Sequence, residues 1–206
     1  MYQESTNIVV KHLVNTLRHS NTKSNEFRLT VEEIARILVA EALNDFPTSK
    51  QTIPTWQGDL EVDMIDVEKI VLIPILRAGE PMLTGILKTL PHAQSGFLAM
   101  KRDEQTAQSK LFYENIPSLE NKTVLLLDPM VATGGSLIDG IEYLKSKGAQ
   151  KIISLNVLGS LHGVQTVQKA YEDVDIFIAQ IDQELDSNSY IRPGLGDAGD
   201  RAFNSH

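Results

Sequence analysis

The stretch Val124-Leu125-Leu126-Leu127-Asp128-Pro129-Met130-Val131-Ala132-Thr133-Gly134-Gly135-Ser136 decides the fold. Four apolar residues in a row read as a buried strand. An acid ends it, a loop of small residues follows, and a helix opens at Ser136. The first N–H groups of a helix have no intrahelical partner and carry partial positive charge, so they face the loop as anion donors. Gly134 and Gly135 let an anion approach the backbone, and the hydroxyls of Thr133 and Ser136 add donors. The plain alternative is a glycine-rich turn with Ser136 as an N-cap. Strand, terminal acid and following helix together favour a phosphate nest. The loop has no lysine and does not match GxxxxGK[ST], so it is not a nucleoside-triphosphate loop. Nor is it the GxGxxG of dinucleotide sites. Asp128 at the other rim suits vicinal hydroxyls, and the pair suits a sugar 5-phosphate lying across the loop.

Working outward, strand and helix signals alternate. Ile70 to Leu76, Phe97 to Met100, Ile152 to Leu158 and Asp175 to Ile181 read as strands. Helical spacing marks Leu29 to Leu43, with Thr30 and Glu33 as a capping box, then Pro81 to Leu90, Leu137 to Lys147 and Val164 to Tyr171. Gly148 is placed to end the third of these. Residues 51–63 read as a hairpin packed around Trp56. Near-continuous apolar strands separated by helices predict an α/β fold, with a mostly parallel twisted sheet covered on both faces. Ligands of such sheets sit beyond the carboxyl ends of the strands.

Composition narrows the function. The 206 residues are 42% apolar and 22% charged, as in globular proteins. The absence of cysteine removes disulfides, thiol catalysis and thiolate metal sites. A net charge of −8 argues against nucleic-acid and anionic-membrane partners. No apolar run reaches a membrane span, and Met1 to Lys11 lacks the pattern of a signal peptide. The five histidines show no metal spacing. A small anionic ligand stays compatible with the acidic total, because charges more than about 8 Å away are largely screened.

Two more segments carry chemistry. Ile75-Leu76-Arg77-Ala78-Gly79 ends a buried strand with a guanidinium, whose fork suits phosphate oxygens. Tyr190 to Arg201 is rich in glycine and reads as irregular loop. As a backbone mould it can present main-chain N–H and C=O groups to a planar base, and sites that select by hydrogen bonds discriminate by about 10⁴.

On the residues Asp128 to Ser136, the chain resembles the type I phosphoribosyltransferases. Its single acid, in Asp128-Pro129-Met130, is similar to that of the uracil phosphoribosyltransferase branch. The resemblance runs from Thr22-Lys23 to the C-terminus and implies one domain over 1–206, with a β-arm near 50–63, a hood, and a base-binding segment near 182–206. It implies formation of UMP and diphosphate from uracil and 5-phospho-α-D-ribose 1-diphosphate (PRPP), a pentosyl transfer in pyrimidine salvage. It assigns Arg77, Arg102, Asp128, Pro129, Met130, Val131, Ala132, Thr133, Gly134, Gly135, Ser136 and Asp197 to PRPP, with Arg77, Arg102 and Asp197 catalytic. Ile191, Gly196, Asp197 and Ala198 fall to uracil. Mg²⁺ is implied on the PRPP diphosphate, with no protein ligand assigned.

Gln105 to Tyr113 is implied as the hood. A homodimer or larger homo-oligomer, GTP as an activator and a cytoplasmic location are implied as well. Glu80-Pro81, Lys101 and Arg192 depart from the bacterial pattern, and Arg192 places a cation beside the base segment. The competing readings are a regulator that binds PRPP or a nucleotide, and the same transfer to another base.

Overall fold

The computed structural model describes residues 1–102 and 109–205, with backbone alone for 101, 102, 109 and 110. The chain runs β1 (Tyr2–Glu4), α1 (Ile8–Arg18), α2 (Ser24–Ala42), β2 (Thr48–Thr55), β3 (Gly58–Ile65), a 3₁₀ turn (Val67–Lys69) and β4 (Ile70–Leu76). It continues through α3 (Glu80–Thr89), β5 (Gln94–Ser95), β6 (Phe97–Arg102), β7 (Ser109–Asn115), β8 (Thr123–Leu127), β9 (Met130–Val131) and α4 (Gly135–Ser146). Last come β10 (Lys151–Ser160), α5 (Leu161–Ala170), β11 (Asp175–Asp182), β12 (Glu184–Leu185), β13 (Ile191–Arg192) and α6 (Ala198–Phe203).

The main sheet has the order β1-β11-β10-β8-β4-β6-β7, with β5 beside β4 and β9 beside β10. Every pairing within it is parallel except β6 with β7. Alternation along each strand sends neighbours to opposite faces. Ile70, Leu72, Leu125 and Leu127 join one apolar layer with α1, α2, α3 and α6. Val71, Ile73, Val124 and Leu126 join the other, with α4 and α5. Burial on both faces is why these strands read as unbroken apolar runs.

From β4 the chain moves through α3 toward β6; from β8 it moves through α4 toward β10. The two crossovers diverge, so a crevice opens between the carboxyl ends of β4 and β8. Arg77 and Asp128 are the first residues beyond those two ends.

Three local expectations are corrected. The second helix starts at Ser24, not Leu29, because Phe27 and Val31 extend the stripe of Ile34 and Leu38. Thr30 is therefore no cap: its hydroxyl donates to the Glu26 carbonyl at 2.8 Å inside the helix. The hairpin exists as β2–β3, but Trp56 at its tip is 91% exposed and packs no core. The C-terminal stretch is not wholly irregular, since it holds β13 and α6. Of the expected hood, β7 is an antiparallel partner of β6, and residues 103–108 lie outside the described residues.

Candidate active site

A cleft of about 710 Å³ opens at the carboxyl ends of the strands. Its walls include Arg77 and Ala78 from the loop after β4, Asp128, Met130, Ala132 and Ser136 from the loop after β8, and Asn188 to Ile191 with Gly196 to Gly199. Three segments distant in sequence thus face one space.

The loop after β8 ends in a sharp turn. Gly134 is the N-cap of α4 at φ 84°, a left-handed conformation in which a Cβ is strained. The N-cap itself, being glycine, has no side chain to accept from the first turn of α4. The helix begins at Gly135, one residue before the expected start, so Ser136 is not an N-cap but lies in the first turn and lines the cleft. Thr133 accepts a long hydrogen bond from the Gly135 N–H at 3.5 Å. An uncapped helix start facing a cleft is an anion site by geometry and dipole.

Asp128 is 7% exposed. Burial pushes its carboxyl up to about 7, and the Met130 N–H, which donates to Oδ1 at 3.2 Å, opposes that only in part. Its backbone is held from β10. Asn156 Nδ2 donates to the Asp128 carbonyl at 2.6 Å, and Ser154 Oγ donates to Asn156 Oδ1 at 2.8 Å. Both side chains are fully buried. The N–H groups of Val157 and Leu158 both donate to the Pro129 carbonyl, at 3.1 and 2.9 Å.

Arg77 extends toward the C-terminal helix, where Nη1 donates to Ser205 Oγ at 2.9 Å and Nη2 to Asp200 Oδ1 at 3.2 Å. Gly79 brings this loop against the strand beside it: a Cβ there would lie 2.4 Å from the Leu127 carbonyl oxygen. That approach sets the Arg77 and Asp128 loops side by side. Arg102 ends β6, and its side chain lies outside the described residues.

The segment expected to bind the base is braced from outside. Asp182, at the end of β11, accepts both Arg18 guanidinium nitrogens and the Gly194 N–H. Arg18 also donates to the Gly194 carbonyl at 2.8 Å. Arg201 reaches the carbonyls of Leu17, Leu195 and His19 and lies over the Phe27 ring. Ile191 and Ala198 are buried, whereas Gly196 and Asp197 are exposed to the cleft. Asp197 caps α6, accepting the Asp200 N–H at 2.8 Å. Arg192 does not enter the cleft: Nε and Nη2 both donate to Asp186 Oδ2.

The structure brings together Arg77, Asp128, Met130, Ala132, Ser136, Ile191, Gly196, Asp197 and Ala198 in the cleft wall, and adds Asn188, Ser189 and Tyr190. Pro129, Val131, Thr133, Gly134 and Gly135 build the loop beneath it. Nothing in the sequence pattern singles out Arg18 or Asp182. The one signal available for Ser154 and Asn156, a polar pair inside the apolar run Ile152 to Leu158, went unused in the sequence reading. Among the described residues no group of three acids or histidines is placed to hold a metal ion.

A sequence model of the family described as uracil phosphoribosyltransferase matches residues 4–205. A curated Aquifex aeolicus (strain VF5) protein with the name uracil phosphoribosyltransferase is 37% identical over 203 residues, 98% of each chain. A solved structure of an Aquifex aeolicus protein overlays with a TM-score of 0.96 at 36% identity, covering 100% of this chain and 99% of that one. The hypoxanthine phosphoribosyltransferase of Trypanosoma cruzi, solved with its product IMP, overlays with a TM-score of 0.53 at 13% identity, over 82% of this chain and 85% of that one. That last likeness reaches the fold alone.

Proposed function

We infer, from the premise that this chain belongs to the uracil phosphoribosyltransferase family, that it transfers the phosphoribosyl group of PRPP to N1 of uracil. The products are UMP and diphosphate. The observation that carries this reading is the uncapped start of α4 sharing one cleft with Arg77 and the braced loop Ile191 to Ala198.

In this reading the N–H groups at Gly135 and Ser136, with the Thr133 and Ser136 hydroxyls, bind the 5-phosphate. Asp128 accepts hydrogen bonds from the ribose hydroxyls. Arg77 and Arg102 receive the charge that builds on the departing diphosphate. As the C1–O bond breaks, its electron pair leaves with the diphosphate, C1 takes on oxocarbenium character, the uracil N1 lone pair forms the new bond, and the N1 proton passes to the released diphosphate or to solvent. Asp197, across the cleft, faces the ribosyl cation, and the backbone at Ile191, Gly196 and Ala198 fits the two carbonyls and one N–H of uracil. Binding and orientation supply the rate, with no covalent enzyme intermediate.

The residues present fit Mg²⁺ carried by the substrate. Magnesium keeps most of its waters and binds through one or two carboxylates plus phosphates, and Asp128 and Asp197 are the carboxylates of this cleft wall. Bound there, it neutralises diphosphate charge.

Incubating the protein with labelled PRPP, Mg²⁺ and either uracil, cytosine, xanthine or hypoxanthine tests the reading. Labelled UMP from uracil alone is expected; transfer to another base, or to none, overturns it.

The same reading includes a homo-oligomer, for which Trp56, Leu60 and Met64 leave an exposed apolar stripe on the β2–β3 arm. GTP activation, a cytoplasmic location and a single domain over 1–206 belong to it by family likeness. Light scattering, GTP titration of the rate, cell fractionation and the cooperativity of unfolding test these in turn.

A further inference from the structure

Ser160, the last residue of β10, is fully buried. Its oxygen accepts the Gly163 N–H at 2.8 Å and so caps α5. A cap needs only that acceptor. The hydroxyl proton goes elsewhere: Ser160 Oγ donates to the Ala132 carbonyl at 2.6 Å, and Ala132 belongs to the phosphate loop.

A second observation points to the same contact. A Cβ on Gly163 would lie 2.2 Å from the Ala132 carbonyl oxygen and 2.8 Å from that of Val131. A Cβ on Gly134 would lie 2.8 Å from the Gly163 carbonyl oxygen. The loop backbone from 131 to 134 therefore rests directly on the first turn of α5, at a distance that only glycine allows. The hydroxyl is the polar tie across that contact.

We propose that Ser160 is a positioning residue for the 5-phosphate subsite, holding Ala132 so that the loop is preformed before the ligand arrives. This rests on the phosphoribosyl reading above. A preformed loop avoids the ordering cost that a mobile one incurs on binding. The 5-phosphate lies remote from the breaking bond and is held alike in ground and transition states. Its loss therefore raises KM and leaves kcat unchanged.

The test compares wild type, Ser160→Ala and Asn7→Ala. Asn7 caps α1 by accepting the Val9 N–H, away from the cleft, and so matches the loss of a cap without touching the loop. The probes are ribose 5-phosphate and diphosphate as inhibitors against PRPP. In Ser160→Ala, the KM for PRPP and the inhibition constant of ribose 5-phosphate should rise roughly three- to tenfold, the scale of one hydrogen bond. Its kcat, the KM for uracil and diphosphate inhibition should stay unchanged. Asn7→Ala should lose a similar amount of Tm with every constant unchanged.

Wild-type constants in a folded Ser160→Ala protein overturn the proposal. So does a parallel shift of all constants in both variants, which marks general destabilisation. If Ser160→Ala does not fold, Ser160→Cys, of similar size and with a weaker donor, is measured against the same criteria. A wild-type protein that makes no UMP and ignores ribose 5-phosphate fails the parent reading instead.

Discussion

Arg77 donates to Asp200 through Nη2 at 3.2 Å, and Ser205 joins both, giving its hydroxyl proton to Asp200 while accepting from Arg77 Nη1. The Arg77 side chain is 59% exposed, so the ion pair is worth about 0–1 kcal/mol. In the proposed reading, charge-assisted, bidentate hydrogen bonds to a diphosphate outweigh that, so the ligand would displace Asp200 at small cost. The pairing draws the guanidinium toward α6, at the edge of the cleft that Arg77 lines.

Arg77→Ala should slow turnover by about 2.7–4 kcal/mol, the effect of removing one donor from a developing anion. Steady-state rates with saturating uracil and PRPP measure it. A variant within a few-fold of wild type would remove Arg77 from the transition state.

The Asp128 carboxyl, raised by burial to about 7 from 3.8, makes two linked expectations. Between those values the folded, ligand-free protein holds a proton that the unfolded chain has lost. Stability therefore falls as pH rises from about 4 to about 7 and levels off above, at about 1.4 kcal/mol per unit at most. In the proposed reading ribose hydroxyls donate to the ionised form, so the KM for PRPP should fall over the same rise in pH. The substrate's own phosphates titrate as well. The diagnostic is therefore the difference between wild type and Asp128→Asn, in urea midpoints and in KM, from pH 5.5 to 8.5. Identical slopes in the two proteins would contradict the assignment.

The proposed function gives Asp197 two separable tasks. As the N-cap of α6 it needs only an acceptor for the Asp200 N–H, and Asn serves there about equally well. Facing a ribosyl cation, it needs its charge. Asp197→Asn should keep Tm within a few degrees while kcat falls by roughly 10²-fold or more. Equal loss of Tm and of activity would assign Asp197 to the cap alone.

What the sequence revealed and what it hid follow from the range of the interactions. The loop Asp128 to Ser136 is local: strand, acid, glycines and helix lie within thirteen residues, and each has a period or a turn requirement that shows in the letters. The strand Ile70 to Leu76 was legible to the residue, because burial on both faces leaves no polar interruption. The start of α2 was misplaced because Thr30 and Glu33 imitate a capping box inside a helix that Phe27 already anchors. Helix α1 went unread, although Val10, Val14 and Leu17 form its buried face. Its role depends on partners far along the chain: Arg18 meets Asp182 and Gly194, and Arg201 meets Leu17. Contacts across more than 160 positions leave no mark in local spacing. Asn156 went unread as well, since its bond to the Asp128 carbonyl, 28 positions away, has no local period.

The pair Arg18–Asp182 gives the sharpest stability prediction. Its two hydrogen bonds measure 2.8 and 2.7 Å, and the Asp182 side chain is 5% exposed. Arg18→Ala leaves that carboxylate buried with the Gly194 N–H as its remaining partner. Breaking one side of a buried pair costs about 3–5 kcal/mol. In a chain of this length that lowers Tm by on the order of 10 °C. The same change removes the Arg18 bond to the Gly194 carbonyl, so the loop proposed to mould the base loses its brace at one end. The KM for uracil should therefore rise, while inhibition by ribose 5-phosphate, which depends on the loop after β8, stays as in wild type. Arg18→Lys separates charge from fork: it should recover part of the Tm but not the uracil affinity, since one ammonium cannot span both Asp182 oxygens and the Gly194 carbonyl. Thermal unfolding and uracil titration of the two variants decide it, and an unchanged KM in Arg18→Ala would confine Arg18 to stability.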